Sequence, residues 1–314
     1  NHAGHGSETT AQALQKSCNI AFAHIGLRTG GGTLYDYCRA FGLMEQTGID
    51  LPGEADSLYF TEDQLNTSEL ATSSFGQNFS ITPIQMITAI AAVANGGYLV
   101  QPHVVDRMLD SDGNIVKTTD TSYKRQVISE DVSKRMTAIL QKNATSESGK
   151  NGYVAGYRVA GKTGTSEKVA LYYQDLAEGN DRGMQYVVSY GGYAPADDPQ
   201  YALLVFYDEP QIGGASGGTQ AGPIFAAIME EVLPYLGVDP QYTESEYENL
   251  SATAPNVIGM TMAEAKSHLE EQGFSGTVVG DAEDDALVTV QVPSPGASTV
   301  SYTHLRAHET PEHL

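Results

Sequence analysis

Two short aromatic and β-branched runs, Tyr186–Tyr193 and Tyr201–Tyr207, flank Pro195-Ala196-Asp197-Asp198-Pro199. Runs of this length around a proline-bounded turn pair as an antiparallel hairpin. A third run, Tyr157–Gly161, starts a strand near Val159 that joins the hairpin and carries Lys162-Thr163-Gly164-Thr165. Such a sheet needs an apolar cover on its inner face. Residues Ala221–Leu236 can provide it, because Ile224, Phe225, Ile228, Val232 and Leu233 recur at helical spacing there.

The chain upstream of the sheet reads as helical. Leu14, Cys18, Phe22 and Ile25 follow helical spacing, with Ser17-Cys18-Asn19 at a turn between two short helices. Leu34, Tyr37, Cys38 and Phe41 predict a further helix stopped by Gly42. Thr82-Pro83-Ile84-Gln85 combines an N-cap, a proline at the first helical position and a capping glutamine. The helix it opens, Ile84–Ala94, stops at Gly96-Gly97, and another begins at Ser129 with Val132, Met136, Ile139 and Leu140 on one face. Helices, an antiparallel sheet and a covering helix make residues 1–236 an α+β domain.

Charge marks a second domain. The 314 residues carry a net charge of −22, which repels phosphate backbones and argues against nucleic-acid binding. Residues 1–236 account for −11, and the much shorter 237–299 for −10. Within the latter, 237–254 reads as an acidic linker and 255–299 as a small α/β unit. Its expected parts are a strand at Pro255–Gly259, a helix capped by Thr261 carrying Met262, Ala265 and Leu269 to Gly273, and strands Thr277–Val279 and Leu287–Val292. Asp281, Glu283, Asp284 and Asp285 read as a solvated acidic loop rather than a calcium site. The tail 300–314 fits neither domain and resembles an in-frame translation of a sequencing adapter. Its His304 and His308 have a helical metal-ligand spacing, but Pro311 interrupts the helix they would need.

Several classes find no support. The longest apolar stretch, around Met86–Ala94, falls far below the ~20 residues that span a bilayer. Cys18 and Cys38 form no zinc pattern; free thiols and a bridge between them both remain open. Gly30-Gly31-Gly32 lacks the Lys-Ser/Thr of a phosphate loop, and His24 and His103 read as surface or core residues. No metal and no cofactor is expected.

Two motifs carry chemistry. Alone, Ser17-Cys18-Asn19 reads as a helix cap and Lys162-Thr163-Gly164-Thr165 as a half-buried strand. Together they set a hydroxyl and an amide against a strand bearing a lysine, a residue without a side chain and a second hydroxyl. That arrangement suits a peptide laid along a strand edge.

With Ser74-Phe75-Gly76-Gln77 before the Thr82 helix, these motifs make residues 1–236 resemble the transpeptidase domain of class B penicillin-binding proteins. The resemblance implies the penicillin-binding/serine β-lactamase-like fold. It also implies that Ser17 relays protons, Asn19 holds the substrate amide and Lys162 supports the Ser17 hydroxyl electrostatically. Thr163, Gly164 and Thr165 then bind substrate or β-lactam: the Thr165 N–H gives half of the oxyanion hole, its hydroxyl binds the substrate carboxylate, and Gly164 leaves room for the peptide. Pro255-x-Val257-x-Gly259, Gly273-Phe274 and Gln291-x-Pro293-x-Pro295-Gly296 make residues 255–299 resemble a PASTA domain.

The implied activity is a peptidoglycan D,D-transpeptidase for cell-wall synthesis, division or sporulation, acting at the extracytoplasmic face of the bacterial membrane. Stem peptides, β-lactams and division or sporulation proteins are its implied partners. Two departures stand out. No serine precedes a lysine by three positions, so the nucleophile motif Ser-x-x-Lys is missing and the chain reads as an N-terminally truncated, inactive fragment. Ser166-Glu167 also stands where the family form has Ala-Gln. The alternative is a non-catalytic wall-binding or β-lactam-sensor protein on the same scaffold. On either reading Lys162 Nζ and Ser17 Oγ should come within ~4 Å.

Overall fold

The computed structural model describes residues 5–180, 182–211, 216–279, 283–292, 294–296, 298–300 and 304–308. It divides into two compact units, residues 1–239 and 240–314.

The first unit opens with helices α1 (Thr10–Gln15), α2 (Asn19–Thr29), α3 (Gly31–Ala40), α4 (Thr67–Ser73) and α5 (Pro83–Ala94). At α5 the cap forms as the sequence predicts. Thr82 accepts from the Gln85 N–H at 3.3 Å and Gln85 Oε1 accepts from the Thr82 N–H at 2.8 Å. The same glutamine, 1% exposed, donates to the Glu45 carbonyl at 2.7 Å, so one residue closes the helix end and ties down the loop after α3. Two small pairings that the sequence pattern did not suggest follow: β1 (Tyr98–Leu99) with β4 (Arg125–Gln126), and the hairpin β2 (Arg107–Leu109) and β3 (Ile115–Thr118). Helix α6 (Glu130–Ala144) starts at the Ser129 cap. Its expected Val132 points outward, 39% exposed; Ser133 is buried instead, donating to the Val93 carbonyl of α5 at 2.6 Å.

The sheet comprises β5 (Ala160–Glu167), β6 (Tyr186–Ala194) and β7 (Tyr201–Asp208), antiparallel in the order β5-β6-β7, with α7 (Val169–Ala177) between β5 and β6. Strand β5 runs further than the apolar pattern suggested, through Glu167, whereas Tyr157 and Val159 precede it as buried core residues. Alternation in β6 feeds two cores. Tyr190 and Ala194 pack with Val159, Ala221, Phe225, Met229 and Leu233 under α8 (Gly217–Tyr235). Tyr193 and Ala160 pack with Ile90, Ala94 and Leu140 from α5 and α6 on the other face. Helix α8 thus buries the stripe 221, 225, 229, 233, and the predicted Ile224 and Ile228 are 41% and 38% exposed. An exact four-residue step follows the nearly straight row of a helix lying on a sheet, which leaves the flanking isoleucines outside.

In the second unit, the segment expected to be a linker contains α9 (Glu244–Leu250) and β8 (Ser251–Thr253). Helix α10 (Met262–Glu271) starts at the predicted Thr261 cap, which Glu264 completes as a capping box, and buries Met262, Ala265 and Leu269 against Val257, Phe274 and Val288. Pro255–Gly259 is not a strand. The buried Gln291 side chain substitutes for a ladder there, accepting from the Val257 N–H at 3.0 Å and donating to the Pro255 carbonyl at 2.6 Å. The remaining strands are β9 (Ser275–Val279), β10 (Val290–Val292), β11 (Ser298–Val300) and β12 (His304–His308). The expected Leu287–Val292 strand is therefore shorter, with Leu287 bridging only to Thr261. Strand β11 pairs with β8, and β12 lies between β10 and β9, so part of the tail expected to fit neither domain joins this unit's sheets. On a strand, His304 and His308 stand ~13 Å apart, which removes the helical metal spacing. Asp281 lies outside the described residues.

Candidate functional site

Helix α1 is only six residues long, capped by Thr9, and its chain turns sharply at Ser17, where φ is 50°. That left-handed conformation costs a non-glycine residue ~1–2 kcal/mol, so neighbouring contacts must hold it. The Ser17 N–H donates to Leu14 O at 3.1 Å and the Cys18 N–H to Ala13 O at 2.9 Å. Ser148 Oγ, on the loop after α6, donates to Gln15 O at 2.9 Å. The turn leaves Ser17 exposed, with Asn19 as the first, exposed residue of α2. Ser74 follows α4, which packs on α2, and its hydroxyl donates to Leu70 O at 2.6 Å.

Lys162 reaches this turn from β5. Its ammonium donates to Ser17 Oγ at 2.5 Å and to the Thr163 carbonyl at 2.9 Å. The near contact expected from the two motifs is therefore present, across 145 residues of chain. Burial pushes the Lys162 pKa down to about 8, with no ion-paired carboxylate among the described residues to restore it. Most copies still carry the proton at neutral pH and donate it to Ser17 Oγ. Beyond Lys162, Gly164 faces Ser189: a Cβ there would lie 2.4 Å from Ser189 Oγ. Thr165 Oγ1 accepts from the Gly217 N–H at the start of α8, at 3.3 Å. Strand β5 pairs with β6 on one side only, so its other edge is unpaired among the described strands. Glu167 ends β5 as an exposed residue.

The last turn of α6 and the loop after it align the two motifs, and no sequence pattern announces them. Asn143, fully buried, donates to Gly161 O at 2.7 Å and so fixes the start of β5. Ser148 holds the end of α1, and Asn151 donates to Gly218 O of α8 at 2.9 Å. Tyr190, buried under α8, donates to Gly149 O at 3.2 Å. The end of α6 and this loop thereby join strand, turn and helix.

Residues 1–230 match the family described as penicillin binding protein transpeptidase domain. The chain belongs to that family. Residues 252–303 of this penicillin-binding protein match the PASTA domain. It is 35% identical over 315 residues to stage V sporulation protein D of Bacillus subtilis, an alignment covering 98% of the chain and 47% of that protein. It is 30% identical over 237 residues to penicillin-binding protein PbpB of Mycolicibacterium smegmatis, covering 72% of the chain and 35% of the relative. Penicillin binding protein 3 of Mycobacterium tuberculosis, in a crystal structure with ampicillin, superposes with a TM-score of 0.66 at 28% identity, covering 75% of this chain and 53% of that one. The chain thus spans about half the length or less of these curated relatives. The penicillin-binding fold, with helices packed around an antiparallel sheet and a PASTA domain following, matches the expectation from the motifs.

Both cysteines of this penicillin-binding protein are free, so no bridge joins Cys18 to Cys38. The Cys38 thiol lies 3.0 Å from Tyr59 Oη, and burial raises its pKa. No helix among the described residues is long and apolar enough to cross a membrane.

Proposed function

We propose that this chain supplies the proton-relay and substrate-binding half of a peptidoglycan D,D-transpeptidase site. The observation that carries the reading is the Lys162 Nζ to Ser17 Oγ hydrogen bond of 2.5 Å. The ammonium biases Ser17 Oγ as an acceptor on one side, which turns the Ser17 proton toward a leaving group on the other. Its charge also lies where negative charge develops during acyl transfer. A stem peptide would lie along the unpaired edge of β5, passing Gly164, with its carboxylate at the Thr165 hydroxyl and its amide at Asn19. Serine acylation followed by aminolysis would complete the cross-link, and a β-lactam would trap the acyl stage.

These residues do not include an acylated serine of the family's kind, because no Ser-x-x-Lys occurs in the sequence. The relative named for stage V sporulation supports a role in sporulation, and relatives named peptidoglycan D,D-transpeptidase support that activity; a peptidoglycan substrate would put the site on the extracytoplasmic side of the membrane. Incubation with a fluorescent penicillin tests the assignment. The chain alone should remain unlabelled, whereas joined to the preceding residues of its gene product it should be labelled at a Ser-x-x-Lys serine. Labelling of the chain alone would refute the missing nucleophile, and no such serine upstream would favour the non-catalytic sensor.

A further inference from the structure

Beside Ser17 lies a cluster that the transpeptidase reading does not use. His5, Glu8 and Cys18 bring one imidazole nitrogen, one carboxylate oxygen and one sulfur within 4.8 Å of one another. His5 Nδ1 stands 3.7 Å from Glu8 Oε1. Ligands held ~2.0–2.3 Å from a tetrahedral zinc ion lie ~3.3–3.8 Å apart, so small side-chain adjustments would close the set. The Glu8 side chain is only 7% exposed, unusual for a carboxylate, and it accepts from Lys16 Nζ at 2.6 Å. Lys16 is 50% exposed and can turn out to solvent, which frees that carboxylate oxygen for a metal ion.

We propose that His5, Glu8 and Cys18 form a binding site for a single divalent cation of the zinc class. One thiolate, one imidazole and one carboxylate make a donor set that suits zinc over calcium or magnesium, which take oxygen ligands. The Cys18 thiol loses its proton to solvent on binding, and water takes the fourth position. The location gives the site a consequence. Cys18 is the cap residue of α2 and the immediate neighbour of Ser17, while His5 and Glu8 precede α1. A cation would therefore cross-link the segment before α1 to the turn after it, holding the left-handed Ser17 conformation. The binding claim stands independently of the reaction assigned above.

The test uses the full chain, stripped of metal and titrated with zinc or cobalt. One equivalent of cobalt should produce a thiolate-to-metal charge-transfer band, and zinc should slow alkylation of Cys18 but not of Cys38, mapped by mass spectrometry. Removal of an outer-shell partner costs ~10–100-fold in metal affinity, so Cys18→Ser or His5→Ala should cost at least that. Cys38→Ser and the double variant His304→Ala/His308→Ala should bind as the unmodified chain does. A missing charge-transfer band in the unmodified chain, equal zinc affinity in Cys18→Ser, or binding lost in the double histidine variant would each overturn the site. The band and the alkylation rates are read on the unmodified chain, so they decide the matter even if a variant folds poorly.

Discussion

Lys162 puts a titration where its effect on stability can be measured. Burial lowers its pKa from 10.5 to about 8, so the unfolded chain holds the proton more tightly than the folded one. Stability therefore rises with pH between those two values, and the cost of the buried ammonium is fully present below about 8. At ~1.4 kcal/mol per pH decade that cost is about 3 kcal/mol near neutrality. Water reaching the exposed Ser17 side makes this an upper bound. The perturbation is Lys162→Met, which keeps most of the apolar stem and removes the charge. Urea unfolding of both proteins near pH 7 and near pH 10 gives two differences, from which tyrosines and lysines common to both cancel. The advantage of the methionine variant should shrink by roughly 2 kcal/mol between the two conditions. Carbon-13 NMR of the reductively methylated chain should also show one lysine titrating near 8, apart from the rest. A stability difference unchanged by pH, or no lysine titrating below the ordinary range, would refute the argument that Lys162 is desolvated without a compensating anion.

Three further outcomes follow from the packing and the charge. Phe225→Ala should cost ~3–5 kcal/mol in chemical denaturation, because it removes a fully buried ring whose centroid lies 4.7 Å from that of Tyr190 at a 45° tilt. Gly217→Ala should destabilise by ~1–3 kcal/mol and lower the affinity of any active-site ligand, since the new Cβ would meet backbone oxygens of Ser189 at 2.2 Å and Gly164 at 2.5 Å. Retention on purified peptidoglycan at low ionic strength should be weak for the PASTA segment's part, given the net charge of −10 over residues 237–299 against an anionic wall; strong, salt-resistant retention that disappears on deleting 240–314 would show that shape outweighs charge.

Local signals in the chain foretold a good part of this molecule. The capping box at Thr82 and the cap at Thr261 form as read, because an N-cap and its partner three residues on interact within a single turn. The hairpin around Pro195–Pro199 pairs in register for the same reason of proximity. Ser17 and Lys162 could be named from their motifs, since each motif is a short run of residue types. Their 2.5 Å approach could not be read from composition or periodicity, only anticipated by resemblance, because it depends on a sheet edge and a helical turn meeting across 145 residues. The residues that enforce the approach, Asn143, Ser148 and Asn151, gave no pattern at all. Their bonds go to distant backbone carbonyls, which every residue offers alike. Burial was likewise decided in three dimensions. Helical periodicity marks Ile224 and Phe225 equally as apolar, and only the position of the sheet under α8 leaves the first exposed and buries the second. The same holds for Gln291, a polar residue by type, which lies in the core because two backbone groups of residues 255–257 lack a strand partner and need its amide.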